Sequence, residues 1–260
     1  GGGVVGDLGG LCASLYMRGI SFVQFPTSLL AQVDSSVGGK TAMDIAQGKN
    51  LVGTFYQPDL VLIDPLVLKS LDERVTVEGY AEVVKCAAMV GGTFWQLIEK
   101  IDDAQAILKH APELIQRSVE FKAEVVTKDE KEGGLRKLLN FGHSIGHAVE
   151  LLADGRLLHG EAISIGLAEV NRIFESRGLT EEGTTQAICD RLQAVGLPLE
   201  DELLSDLRVT DIMKHDKKVS KEKTPNKKEK KEAKETEEVK DTKPVKQEVK
   251  NEKPELDLNI

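Results

Sequence analysis

Cysteine is scarce in this chain of 260 residues. Its three copies, Cys12, Cys86 and Cys189, lie far apart, are odd in number and form no CxxC pair. That excludes a disulfide scaffold and a thiolate zinc site, and points to a reducing, cytoplasmic setting. There is also no run of about 18 apolar residues, so no segment reads as a membrane span. A basic excess is missing too: 34 Lys and Arg stand against 43 Asp and Glu. Residues 220–260 hold 12 Lys and 11 acidic side chains, which leaves 22 basic against 32 acidic in the remainder. A body that acidic is a poor fit to non-specific nucleic-acid binding, which draws its affinity from basic surface. The chain opens on Gly1-Gly2-Gly3 with neither Met nor a signal peptide. Such a turn needs an element before it, so the chain is expected to begin partway through a fold.

What is present divides into three stretches. The glycine-rich start precedes a helix expected over Leu8 to Arg18. Ser21–Gln24 and Leu60–Ile63 read as short apolar strands ended by Pro26 and by Asp64-Pro65. Strand, glycine turn and helix in this order suggest an α/β layer over residues 1–72, with a polar, glycine-bearing segment from Asp34 to Gly53 between the strands. Residues 73–219 carry amphipathic helical periodicity, at 74–90, 93–109, 111–131, 137–153, 160–177, 181–195 and 209–216. Residues 220–260 are a Lys/Glu-rich tract too poor in aliphatic side chains to offset the entropy of ordering, and disorder is expected there.

Three of the five histidines fall between 143 and 159. His143 and His147, in Asn140-Phe141-Gly142-His143-Ser144-Ile145-Gly146-His147, are i and i+4, so on a helix they share a face. His159, in Leu158-His159-Gly160-Glu161, could add a ligand from the next helix. Taken together, the cluster favours a metal site over three separately satisfied histidines. Ser144 stands where an HExxH protease needs Glu, which excludes that class. Glu82 and Lys85 are i and i+3 in an otherwise aliphatic stretch. They read equally as an ordinary ion pair or as a buried carboxylate that needs a cation.

The glycines before Asp7 could present backbone N–H groups to a phosphate, although such a turn is often only a turn. Asp34-Ser35-Ser36-Val37-Gly38-Gly39-Lys40-Thr41 ends like a Walker A motif, but Asp34 replaces its first glycine, which excludes an ATPase. Arg18, Lys40, Lys49, Lys85, Lys122, Arg136, Lys217 and Lys218 are isolated cations beside these motifs. In an acidic body they suit an anionic substrate.

These stretches together with Phe25–Thr41, Gly48-Lys49-Asn50, Glu132-Gly133-Gly134-Leu135-Arg136 and His215-Asp216-Lys217-Lys218 resemble the 3-dehydroquinate synthase family, in order and spacing, over residues 1–218. The resemblance implies a partial Rossmann-like layer followed by an all-helical metal and substrate domain. It implies a lyase of the shikimate pathway, serving aromatic amino-acid biosynthesis in the cytoplasm. The reaction converts 3-deoxy-D-arabino-heptulosonate 7-phosphate to 3-dehydroquinate and phosphate through transient oxidation, phosphate elimination, re-reduction and an internal aldol closure.

NAD and one divalent metal, zinc or cobalt, are the implied cofactors, with Glu82, His143 and His159 as metal ligands and His147 handling protons. Gly2, Gly3, Asp7, Thr27, Ser28, Lys40 and Lys49 would line the dinucleotide. Asp34, Lys40, Asn50, Lys85, Lys122, Arg136, Asn140, His147 and one of Lys217 and Lys218 would hold the sugar phosphate. Of these, Lys85, His147, Arg136, Asn140, Lys40 and Lys122 would be catalytic. Arg18 would reach the phosphate site of a neighbouring subunit in a homodimer, with neither nucleic acid nor membrane as a partner.

The chain departs from the family in lacking the segment before the glycine motif and in carrying the charged tract from Ser220. It is therefore expected to be an incomplete product that binds NAD poorly, its sheet edge exposed. The rival readings are another sugar-phosphate cyclase, a metal-dependent NAD polyol dehydrogenase, and an inactive fragment whose tail recruits partners.

Overall fold

A computed structural model of the chain describes residues 1–45 and 48–221; the tract expected to be disordered lies, from residue 222 on, outside them. Gly1–Asp216 is one compact unit. Helices dominate it, with two small sheets near the start.

Helix α1 (Gly3–Leu15) begins inside the glycine turn, not at Leu8. The turn is tied down at its base: the Gly1 ammonium donates to Phe25 O at 3.0 Å, and Thr27 N donates to Gly1 O at 3.0 Å. With Gly2 extended as the cap, the helix can start at once. Strand β1 (Val23–Gln24) pairs in parallel with a strand at Leu60–Val61, both shorter than expected. The segment between them, expected only as a polar stretch, forms an antiparallel hairpin of β2 (Lys40–Ile45) and β3 (Gly48–Phe55); the Leu60–Val61 strand is β4. Adjacent apolar residues at Ala42-Met43 and Leu51-Val52 break the alternation and hid the hairpin's period-2 signal; its strands are tied where the Thr41 and Thr54 hydroxyls meet at 2.8 Å.

Helix α2 (Glu73–Val90) runs through the core, with Tyr80, Ala81, Val83, Val84 and Ala87 fully buried. It ends at Gly91, whose φ of 67° is a left-handed stop. Helix α3 (Gly92–Ile98) is short, and α4 (Ala104–Lys128) is one helix of 25 residues. The expected helices at 93–109 and 111–131 are thus redrawn. The chain breaks before Asp103, whose carboxylate caps α4 by accepting from Ala106 N at 2.6 Å. Pro112 does not interrupt α4, because Ala111, Leu114 and Ile115 around it are locked into the core.

Helices α5 (His143–Ala153), α6 (His159–Ser176), α7 (Thr184–Ala194) and α8 (Leu207–Lys221) complete the order. The expected helix over 137–153 is two pieces, a 3-10 turn at Leu135–Asn140 and then α5. Gly142, at φ 80°, makes the break. The main core joins α2, α3, α4, α6 and α7 through residues such as Ile98, Ile107, Leu114, Ile163 and Leu192. Truncating one of these to Ala costs about 2–5 kcal/mol. A smaller cluster of Ile145, Val149, Ile165 and Val209 ties α5 and α6 to α8.

Candidate functional site

Three helices meet where two glycines let their backbones touch. A Cβ on Gly160 would fall 1.7 Å from Glu78 O, and one on Gly166 would fall 2.2 Å from Gly142 O. Any side chain there would push α6 away from α2 or from α5. At this junction Glu82 of α2, His143 and His147 of α5 and His159 at the start of α6 come together. The Glu78 carboxylate fixes that start by accepting from Gly160 N at 2.9 Å.

The ligand nitrogens of His143, His147 and His159 lie within 4.8 Å of one another. Glu82 is fully buried; its Oε1 is 3.4 Å from His143 Nε2 and 3.7 Å from His159 Nε2. Lys85 holds Glu82 Oε2, while Oε1, the oxygen facing the imidazoles, has no hydrogen-bond partner among the described residues. A buried carboxylate facing imidazole nitrogens without hydrogen bonding them is what a cation bound between them requires. Nitrogen and oxygen donors of this kind suit zinc and cobalt. The residues therefore fit a divalent metal, and the buried reading of Glu82 prevails over the surface ion pair.

Local bonds aim the rings. His143 Nδ1 is 3.1 Å from Phe141 O, so Nδ1 carries the proton and Nε2 faces Glu82. His159 Nδ1 is 3.1 Å from Glu150 Oε2, with the same consequence. Burial and the nearby Lys85 charge hold His143 down to about 3, so it is neutral. Burial opposes charge on His159 as well, but Glu150 and Glu82 outweigh it and raise its pKa to about 10. Burial also works against the charge on Glu82, yet Lys85, His143 and His159 hold its carboxyl well below the usual range. Lys85 pairs with Glu82 and donates to Leu139 O at 2.7 Å.

Cations surround this junction. Lys122, buried on α4, lies 2.9 Å from Asp34 Oδ1, which one turn of wide helix at Ala31–Ser35 delivers. Arg136 is buried, donates to Gly38 O at 2.9 Å and lies 5.6 Å from the Phe55 ring centroid, with its Nε unpartnered among the described residues. Asp129 shapes the loop that carries it, accepting from Gly133 N, Gly134 N and Arg136 N at 2.7, 2.7 and 3.0 Å. Glu132 joins Lys40 at 2.8 Å to Asn140 at 2.7 Å. Asn50 lies on β3 with φ 55°, its N–H donating to Asp44 at 2.9 Å. Lys49, on the same strand, pairs with Glu150.

The glycine turn lies against Ser28 and Ser35: a Cβ on Gly2 would be 3.5 Å from Ser28 Oγ, and one on Gly3 would be 3.2 Å from Ser35 Oγ. Asp7 follows on α1, its pKa raised by burial to about 6. Arg18 is exposed in the Tyr16–Arg18 turn. The side chains of Lys217 and Lys218 lie outside the described residues.

Sequence reasoning missed Glu78, Asp129, Glu132 and Glu150 as participants. Glu150 had a signal, since it is i+3 from His147 and i+7 from His143 on one helix face. Glu78 meets Gly160 across 82 positions, which no local spacing encodes, and Asp129 and Glu132 act within an irregular loop that has no period to announce them.

Comparison with known proteins matches residues 1–78 to the 3-dehydroquinate synthase N-terminal family and residues 79–219 to the 3-dehydroquinate synthase C-terminal family. The 3-dehydroquinate synthase of Lactiplantibacillus plantarum is 62% identical over 219 residues, covering 84% of this chain and 61% of the relative. That of Streptococcus pneumoniae is 49% identical over 220 residues, covering 84% and 62%. The chain thus spans about three fifths of the length of the curated relatives it matches.

Among solved structures, 2-epi-5-epi-valiolone synthase from Streptomyces hygroscopicus, with NAD+ and Zn2+ bound, superposes with a TM-score of 0.75 at 31% identity, covering 82% of this chain and 61% of that one. A 2-deoxy-scyllo-inosose synthase complexed with carbaglucose-6-phosphate, NAD+ and Co2+ gives 0.76 at 30%, covering 83% and 61%. No helix among the described residues is long and apolar enough to cross a membrane.

Proposed function

The chain belongs to the 3-dehydroquinate synthase family, and on that premise we propose that it converts 3-deoxy-D-arabino-heptulosonate 7-phosphate to 3-dehydroquinate and phosphate. Residues 1–72 belong in this reading to a Rossmann-like NAD layer and 73–219 to a metal and substrate domain, a division supported by the change of family profile at 78/79. The observation that carries the proposal is the buried Glu82 carboxylate, paired with Lys85 through one oxygen and turned with the other to His143 and His159 beyond hydrogen-bond distance.

Glu82, His143 and His159 would hold zinc or cobalt. Gly2, Gly3, Asp7, Thr27, Ser28, Lys40 and Lys49 would line NAD. When bound, the metal supplies a Lewis acid that acidifies a substrate hydroxyl, and NAD accepts and returns the hydride.

This chain's residues do the rest. His147, beside the ligand histidines, takes and returns the hydroxyl proton. Lys85, Lys122 and Arg136 offset the charge of a substrate that is anionic at both ends. Lys40, Asn50 and Asn140 orient the sugar between them, with Asp34 on a hydroxyl and one of Lys217 and Lys218 on a charged end. Arg18, exposed, is assigned to the phosphate site of a partner subunit in a homodimer. The setting is cytoplasmic.

Phosphate release from the heptulosonate phosphate, with NAD and zinc and then with a chelator, tests this. Chelator-sensitive release is expected. Release from a different sugar phosphate alone would indicate another cyclase, and net NADH accumulation with a simple polyol would indicate a dehydrogenase.

A further inference from the structure

Glu150 sits behind His159, away from the Glu82 side of its ring. It lies on the same face of α5 as His143 and His147, and its side chain is only 10% exposed. Its Oε2 is 3.1 Å from His159 Nδ1, and its Oε1 pairs with Lys49 Nζ. A carboxylate paired with the Lys49 ammonium acts as an acceptor, so Nδ1 carries a proton towards it, and Nε2 is the nitrogen turned to Glu82, the one that would give up its proton to a bound metal. His143 obtains the same orientation from a backbone carbonyl of its own loop. His159 obtains it instead from a side chain that is held from another element, because Lys49 stands on β3, paired to the β2 strand that carries Lys40.

We propose that Glu150 and Lys49 are positioning residues for the metal centre: Glu150 sets the tautomer and ring orientation of His159, and Lys49 holds Glu150 from β3. Metal affinity then depends on where the β2–β3 hairpin sits, which joins the sugar- and cofactor-facing hairpin to the metal ligands. This rests on the reading of His159 as a ligand.

The test is zinc affinity of the whole chain, by competition with a chromophoric chelator, for wild type, E150A, E150Q, K49M and the double variant K49M/E150A. E150A should bind about 10- to 100-fold more weakly. E150Q, which keeps an oxygen for Nδ1–H, should recover part of that loss. K49M should show a smaller loss, and none beyond E150A in the double variant, since the two act in series.

In the zinc-loaded wild type, NMR should show a downfield Nδ1 proton on His159 that shifts in K49M and vanishes in E150A. Should E150A fail to fold, the comparison of E150Q and K49M with wild type decides by the same two readouts. A wild-type chain that binds no zinc overturns the metal reading and this inference together. Wild-type zinc binding with unchanged affinity and an unchanged Nδ1 proton in the Glu150 variants overturns this inference alone. Unchanged K49M beside a weakened E150A overturns the link to the hairpin.

Discussion

Glu82 Oε1, on a fully buried carboxylate, lies 3.4 Å from His143 Nε2, with Lys85 on the carboxylate's other side. Such a carboxylate is stabilised by the ammonium already there and is set up to accept a second cation.

Glu82→Gln therefore removes two things. It leaves the buried Lys85 ammonium without its counter-ion, at a cost of about 3–5 kcal/mol in urea unfolding. It also abolishes protection by metal. Zinc at a hundred times its Kd should stabilise the wild type by about 2.7 kcal/mol, an increment lost with a chelator and absent in the variant. Equal zinc protection of both proteins would remove Glu82 from the ligand set.

Gly160→Ala puts a methyl group where Glu78 O already is. The α2 and α6 backbones must separate, at about 1–3 kcal/mol of strain, and His159 moves away from Glu82 with its helix. Urea unfolding and zinc affinity should fall together. A fully stable variant with intact zinc binding would show that the helix contact does not set the site.

Asp129 organises the Arg136 loop through three backbone N–H groups. Asp129→Ala should raise KM for a phosphate-bearing substrate while leaving far-UV circular dichroism unchanged. Amide exchange at Gly133, Gly134 and Arg136 should speed up in the variant. Unchanged exchange at all three would contradict the assignment.

Asp7 gives a pH dependence of definite sign. Burial raises its folded pKa from 3.8 to about 6, although the Lys122 charge acts the other way. The neutral form is favoured in the fold, so this group's contribution is complete below 3.8 and is lost as pH rises through about 6. The urea midpoint should carry a falling component over that window, and Asp7→Asn should remove it. The carboxyl carbon of Asp7 should titrate near 6 by NMR; a midpoint near 4 would contradict the assigned burial.

Local spacing was enough to put His143 and His147 on one face and to mark Glu82 with Lys85 as a pair. Those are contacts between residues one helical turn apart, and a backbone period dictates them. Amphipathic stripes likewise revealed α2 and α6 to within a residue at each end, but ran α5 together with the 3-10 turn before it. Where apolar residues stand side by side instead of alternating, as at Ala42-Met43 and Leu51-Val52, the period vanished and the hairpin with it.

Packing alone decided the rest. Nothing in the spacing of Glu82 says whether it meets water or two imidazoles; that depends on Gly160 and Gly166 letting three helices close up. Lys49 and Glu150 are 101 positions apart, and Asp34 and Lys122 are 88 apart. A pattern of a few residues carries no information over such distances. Those pairs exist because the buried faces of separate elements have one close-packed arrangement, which brings charges together that the chain keeps far apart.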